Sequence, residues 1–185
     1  MKFRLFLAAA AAAALSLPAL ADHLKSGPQA GESVPGPFHP VNVTGEHKGE
    51  KFCLYCVNGE NPVAMVFARE PSAELTKLIK QLDATTSKNS TKSMGSFVVF
   101  LSDKEGLDKE LAALAEREKI QKTVLAIDNP AGPKGYEVAK DADVTVVLYV
   151  DRKVKANHAF KKGELKDADI EKILSEVPTI LAAAR

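Results

Sequence analysis

Continuously apolar runs alternate with amphipathic stretches from residue 62 onward, and that rhythm constrains the chain more than any other feature. Val63 to Ala68 is apolar throughout, as a strand buried on both faces must be. Phe97–Leu101, Thr123–Ile127 and Val144–Val150 are three further strands. Leu75, Leu78, Ile79 and Leu82 mark one face of a helix that Pro71 or Ser72 opens, with Glu74 favourable in its first turn. Leu107, Leu111, Leu114 and Ala115 mark a second helix. Asn129–Pro133 is a loop, and Tyr136 to Asp141 is read as a short helix. Asp151-Arg152 is a tight turn, so Val144–Val150 should pair with Val154–Phe160 as a hairpin. A last helix starts at Asp167 or Asp169, buries Ile170, Ile173, Leu174 and Val177, and ends at Pro178. The order predicts an α/β fold: a mixed sheet of three parallel-type strands plus a C-terminal β-hairpin, with helices on both faces.

The first 21 residues read as a signal peptide. Lys2 and Arg4 form a basic start, Leu5 to Leu17 is apolar, and Ala19-Leu20-Ala21 is an A-x-A cleavage site. The apolar run is shorter than the ~20 residues of a membrane span, and no later stretch is apolar enough to make one. A soluble exported protein is expected, in the periplasm or outside the cell. Lys2 and Arg4 are two of the 25 basic residues; the remaining 23 face 24 acidic ones, which gives no reason to expect a nucleic acid partner. Residues 22–40 hold four prolines and three glycines and are expected to form a flexible tether or an extended arm. Residues 41–185 then form a single domain.

The only two cysteines are Cys53 and Cys56, spaced as Cys-x-x-Cys. In an extended strand, residues three apart lie ~10 Å apart and point to opposite faces. A disulfide needs Cα atoms within about 7 Å. If the pair bonds or chelates, residues 53–56 must turn. Three readings follow. A redox dithiol suits an oxidising compartment; Lys48 and Lys51 would favour its thiolate, Glu50 and Glu60 would oppose it. An inert disulfide would shape the local turn. A metal site for zinc or copper would need His39 or His47, or a second copy of the chain, to add ligands to Cys53 and Cys56.

The strand–helix order with its closing hairpin resembles the thioredoxin-like superfamily. Val144–Tyr149, Lys153-Val154 and Lys162–Leu165 look like the stretch of thioredoxin from the cis-proline strand to the last helix. Asn42 to Gly49, followed by the strand after Pro62, looks like the lead-in hairpin of secreted thioredoxin-like and peroxiredoxin-like proteins. The resemblance implies the fold over residues 41–178 and thiol–disulfide redox chemistry with a protein thiol or disulfide partner. It also implies that Cys53, the more N-terminal thiol, attacks first and Cys56 resolves. Two departures stand against a simple transfer. The usual dithiol follows the first strand of the fold, where this chain has Arg69-Glu70-Pro71-Ser72. The usual cis-proline is replaced by Val144. The competing expectation is a non-enzymatic binding module with a structural disulfide or a Cys/His metal site.

Other residues draw milder expectations. His158 should share a strand face with Val154, Ala156 and Phe160, as an ordinary histidine near the end of an edge strand. Ser72 should cap a helix, and Arg69 and Glu70 should sit in surface ion pairs.

Overall fold

A computed structural model describes residues 24–184; the signal peptide expected at 1–21 lies outside the described residues. Six strands form one sheet: β1 (Val41–Asn42), β2 (Val63–Ala68), β3 (Gly95–Leu101), β4 (Thr123–Asp128), β5 (Val144–Val150) and β6 (Lys153–Phe160). Four α-helices accompany it: α1 (Leu54–Asn58), α2 (Ala73–Lys88), α3 (Leu107–Glu118) and α4 (Asp167–Ala182). The strand order is β1-β4-β3-β2-β5-β6. β2, β3 and β4 run parallel, while β1, β5 and β6 pair antiparallel to their neighbours. The mixed sheet and its hairpin are those the apolar runs predict.

β2 is central, and all six of its residues are buried because both faces are covered. Alternation divides them. Ala64, Val66 and Ala68 enter one core with Leu75, Leu78, Leu111 and Ile173 of the long helices. Val63, Met65 and Phe67 enter a second core with Val34, Phe38, Leu54, Tyr55 and Tyr136. The β2 side chains are small where helices supply their own leucines, and two of the three are large where the cover is thin.

Helices lie on both faces, as expected, but unequally: the three long ones share one face and only the short α1 lies on the other. The steps β2–α2–β3 and β3–α3–β4 move the same way across the sheet, and right-handed crossovers then put both helices on one side. α4 returns to that side as well. The opposite face is covered by the N-terminal arm, the five-residue α1 and the loop after β4.

The arm is extended and built into the domain, which corrects the flexible reading for residues 24–40. Ser26 Oγ meets Thr145 Oγ1 at 2.6 Å. Gly31 N–H donates to the Val154 carbonyl, and Val154 N–H to that of Glu32. Val34 and Phe38 are buried.

Three local expectations are corrected. Residues 136–141 form no helix; Glu137 has φ +51° and Tyr136 is drawn into the second core. Pro178 lies inside α4 rather than ending it. The lost backbone hydrogen bond costs ~3 kcal/mol, offset by burying Val177 and Ile180 on either side. In β6 the register slips between Leu148↔Ala156 and Tyr149↔Val154, so Lys155 is an extra residue. Val154 therefore enters the second core, while Ala156 and Phe160 pack on the first. His158 does not share a face with Val154.

Candidate functional site

Cys53 and Cys56 form a disulfide with Cα atoms 5.2 Å apart. The turn that geometry demands is the start of α1. Cys53 is extended, with φ −84° and ψ 94°, and sits at the cap position. The Cys56 N–H donates to the Cys53 carbonyl and approaches Cys53 Sγ, each at 3.1 Å. Gly59 closes the helix at φ +54°, its N–H donating to the Cys56 carbonyl. Leu54 and Tyr55 anchor the turn in the second core.

The two cysteines are unequal in exposure. Cys53 is only 6% exposed, whereas Cys56 lies on the surface beside Val57, which is 60% exposed. The residue order implied by the resemblance puts the attacking thiol at Cys53; exposure favours Cys56.

His39 is exposed. His47 stacks on Phe52 with ring centroids 3.4 Å apart, and its Nδ1 lies 3.2 Å from Glu50 Oε2. Among the described residues, no group of three or more His, Cys, Asp or Glu side chains is placed to hold a metal. His158 Nε2 lies 2.8 Å from Glu176 Oε2 and ties the edge strand β6 to α4.

The Cys-x-x-Cys turn precedes β2 in the chain, and Arg69–Ser72 follow it, at the place where a thioredoxin-like fold is expected to carry its dithiol. The second position is filled. The Arg69 guanidinium donates to the backbone carbonyls of Pro130, Ala139 (3.0 Å) and Ala142 (3.3 Å), and so fastens the loop that crosses from β4 to β5. Arg69 is thus a loop anchor, not a member of the expected surface ion pair; Glu70 does pair, with Lys162. That lysine holds the Glu70 carboxyl below its usual range, by its hydrogen bond first and its charge second. Half-buried Asp143 is pushed up, chiefly by desolvation and then by Glu70. Ser72 Oγ accepts from Leu75 N–H at 3.1 Å, a helix cap as expected. No peptide bond among the described residues is cis.

The neighbourhood of α1 also holds residues that the sequence did not single out. Arg152 lies over the Tyr55 ring at 5.1 Å. The Tyr149 hydroxyl is buried in the same core with no hydrogen-bond partner among the described residues. No short motif marks either residue.

These features define a thioredoxin-like fold in which Arg69–Ser72 follow the central strand and the Cys53–Cys56 disulfide precedes it. No protein-family model matches the sequence, and no curated protein is similar to it. Solved structures share the fold. A candidate thiol:disulfide interchange protein DsbE from Chlorobium tepidum matches with TM-score 0.60 at 19% identity, over 85% of this chain and 99% of that one. A candidate protein disulfide isomerase from Bacteroides thetaiotaomicron matches with TM-score 0.64 at 13% identity, over 86% and 95%. Peroxidoxin BcpB from Mycobacterium tuberculosis matches with TM-score 0.56 at 16% identity, over 88% and 99%. Among the described residues, no helix is long and apolar enough to cross a membrane.

Proposed function

We propose that the chain is an exported thiol–disulfide exchange protein acting through Cys53 and Cys56, in the periplasm of a bacterium. The observation that carries the reading is the asymmetric Cys-x-x-Cys disulfide: one cysteine exposed, the other buried. The fold shared with thiol:disulfide interchange proteins supports it. The basic-then-apolar first segment with its A-x-A site supports export.

The exposure of Cys56 supports giving it the first contact. A partner thiolate attacks Cys56 Sγ, the S–S bond breaks, and its electron pair leaves on Cys53 Sγ as a thiolate. A mixed disulfide then joins the partner to Cys56. The backbone N–H of Cys56, 3.1 Å from Cys53 Sγ in the disulfide, is placed to donate to that thiolate. A second partner thiolate attacks the partner's sulfur in the mixed disulfide and releases Cys56. The partner leaves oxidised by two electrons; the Cys53–Cys56 pair is reduced by two and takes up the two protons that the partner thiols gave up. Run backwards, the same steps have the Cys56 thiolate attack a partner disulfide while Cys53 resolves.

The test is the reduction potential of the purified pair, with metal content measured on the same sample. A value between about −270 and −120 mV supports exchange. A value below about −300 mV supports a structural disulfide, the second reading, which the burial of Cys53 beside Leu54 and Tyr55 favours. Zinc or copper bound stoichiometrically to the reduced thiols would replace both. Order of attack is read separately: Cys53→Ser should trap a stable mixed disulfide with glutathione on Cys56, and Cys56→Ser should not.

A further inference from the structure

The turn between β5 and β6 is backbone-strained. Asp151 and Arg152 both adopt positive φ, +51° and +58°, where a two-residue hairpin turn of this hand favours Asn-Gly. A long, β-carbon-bearing arginine in this conformation needs contacts that hold it there, and the turn makes three. Asp151 N–H donates to the Glu60 carbonyl, just past α1, at 2.9 Å. The Arg152 carbonyl accepts from Val34 N–H of the arm at 2.9 Å. The Arg152 guanidinium lies over the face of Tyr55, with Cζ 5.1 Å from the ring centroid. Tyr55 stands between the two cysteines in sequence, and its ring is buried in the second core. Among the described residues no carboxylate lies within ion-pair distance of Arg152, so the ring is what the cation engages.

We propose that Arg152 is a positioning residue for the dithiol: it pins the Tyr55 ring, and with it the Cys-x-x-Cys turn, and sets an un-neutralised positive charge against that turn. The inference rests on the exchange reading of Cys53 and Cys56. A nearby cation favours a thiolate over a thiol, and so favours the reduced pair over the disulfide. Removing it should make the disulfide harder to reduce.

The experiment measures the equilibrium of the mature protein with reduced and oxidised glutathione at pH 8.5, where an ordinary cysteine is about half ionised. Native protein is compared with Arg152→Gly and Arg152→Lys. Glycine takes a positive φ without steric cost, so loss of folding does not obscure the result. The expected result is a three- to tenfold fall in the equilibrium constant for Arg152→Gly, about 15 to 30 mV. Arg152→Lys should recover most of it, and the difference should shrink in 1 M salt, where charges are screened beyond ~3 Å. An Arg152→Gly equilibrium equal to native, in a protein that does exchange with glutathione, overturns the inference and leaves the exchange reading standing. A fall of the same size in both variants, unmoved by salt, also overturns the role of the charge. A native disulfide that glutathione does not reduce overturns the exchange reading itself, and this inference with it.

Discussion

The side-chain amide of Asn58 rests on the bare Cα of Gly95: a Cβ built there would lie 1.8 Å from Asn58 Oδ1. Asn58 Nδ2 meanwhile donates to the Leu54 carbonyl at 2.7 Å, inside the helix that carries the disulfide. The start of β3 is therefore in direct steric register with α1. Gly95→Ala should displace Asn58, break that bond and loosen α1. A cost of about 1–3 kcal/mol is expected, as for other overpacked sites. Thermal melting and hydrogen exchange at residues 54–58 check it; an unchanged melting temperature would contradict the close approach.

Tyr149 should tolerate loss of its hydroxyl. The group is buried with no partner among the described residues, and burial pushes its ionisation far above the ordinary tyrosine range. An unsatisfied buried hydroxyl opposes folding. Tyr149→Phe is expected to be neutral or stabilising by up to ~1 kcal/mol. A clear loss in a denaturant melt would reveal a hydrogen bond to an ordered water.

Arg69 should prove indispensable to the loop after β4. Its guanidinium serves three carbonyls on residues 130, 139 and 142. Removing it strands those acceptors, and Arg69→Ala should cost about 2–3 kcal/mol. Hydrogen exchange should rise over residues 129–142 before it rises elsewhere. Arg69→Lys should recover little, because an ammonium does not reproduce the planar fork.

Asp143 should impose a pH-dependent penalty. Its carboxyl is pushed up by desolvation and by Glu70. Its folded pKa thus exceeds its unfolded one, and the folded state binds more protons between the two. Stability from this group is full below the unfolded pKa, near 3.9, and is lost as pH rises through the folded pKa. Asp143→Asn is expected to raise the melting temperature at pH 7 and to change it little at pH 3. The reverse pattern would mean that Lys162 and Arg69 outweigh burial.

The strands β2 to β5 and the closing hairpin are legible in the chain because a doubly covered strand admits almost nothing polar. The helix starts are legible too: Ser72 caps α2 and α4 begins at Asp167, although the cap residue there is Lys166, whose N–H donates to the Asp169 carboxylate. The helix expected at 136–141 is absent for a reason outside that segment. One of its carbonyls, that of Ala139, is taken by Arg69, distant in sequence, and Tyr136 is turned inward against Phe38 and Phe67. Likewise the one-residue bulge at Lys155 leaves no mark on the alternating pattern, yet it moves His158 to the other face of the sheet from Val154.

The sequence alone determined the fold class, the need for a turn at residues 53–56 and the displacement of the dithiol from its customary place. These follow from hydrophobic period, from the reach of an extended chain and from position along it. Tertiary structure decided which cysteine is exposed, that Arg69 fastens the loop after β4, and that Arg152 meets Tyr55. Each of these depends on residues far apart in the chain arriving at one point, and local pattern holds no record of where a crossover or a strained turn will bring them.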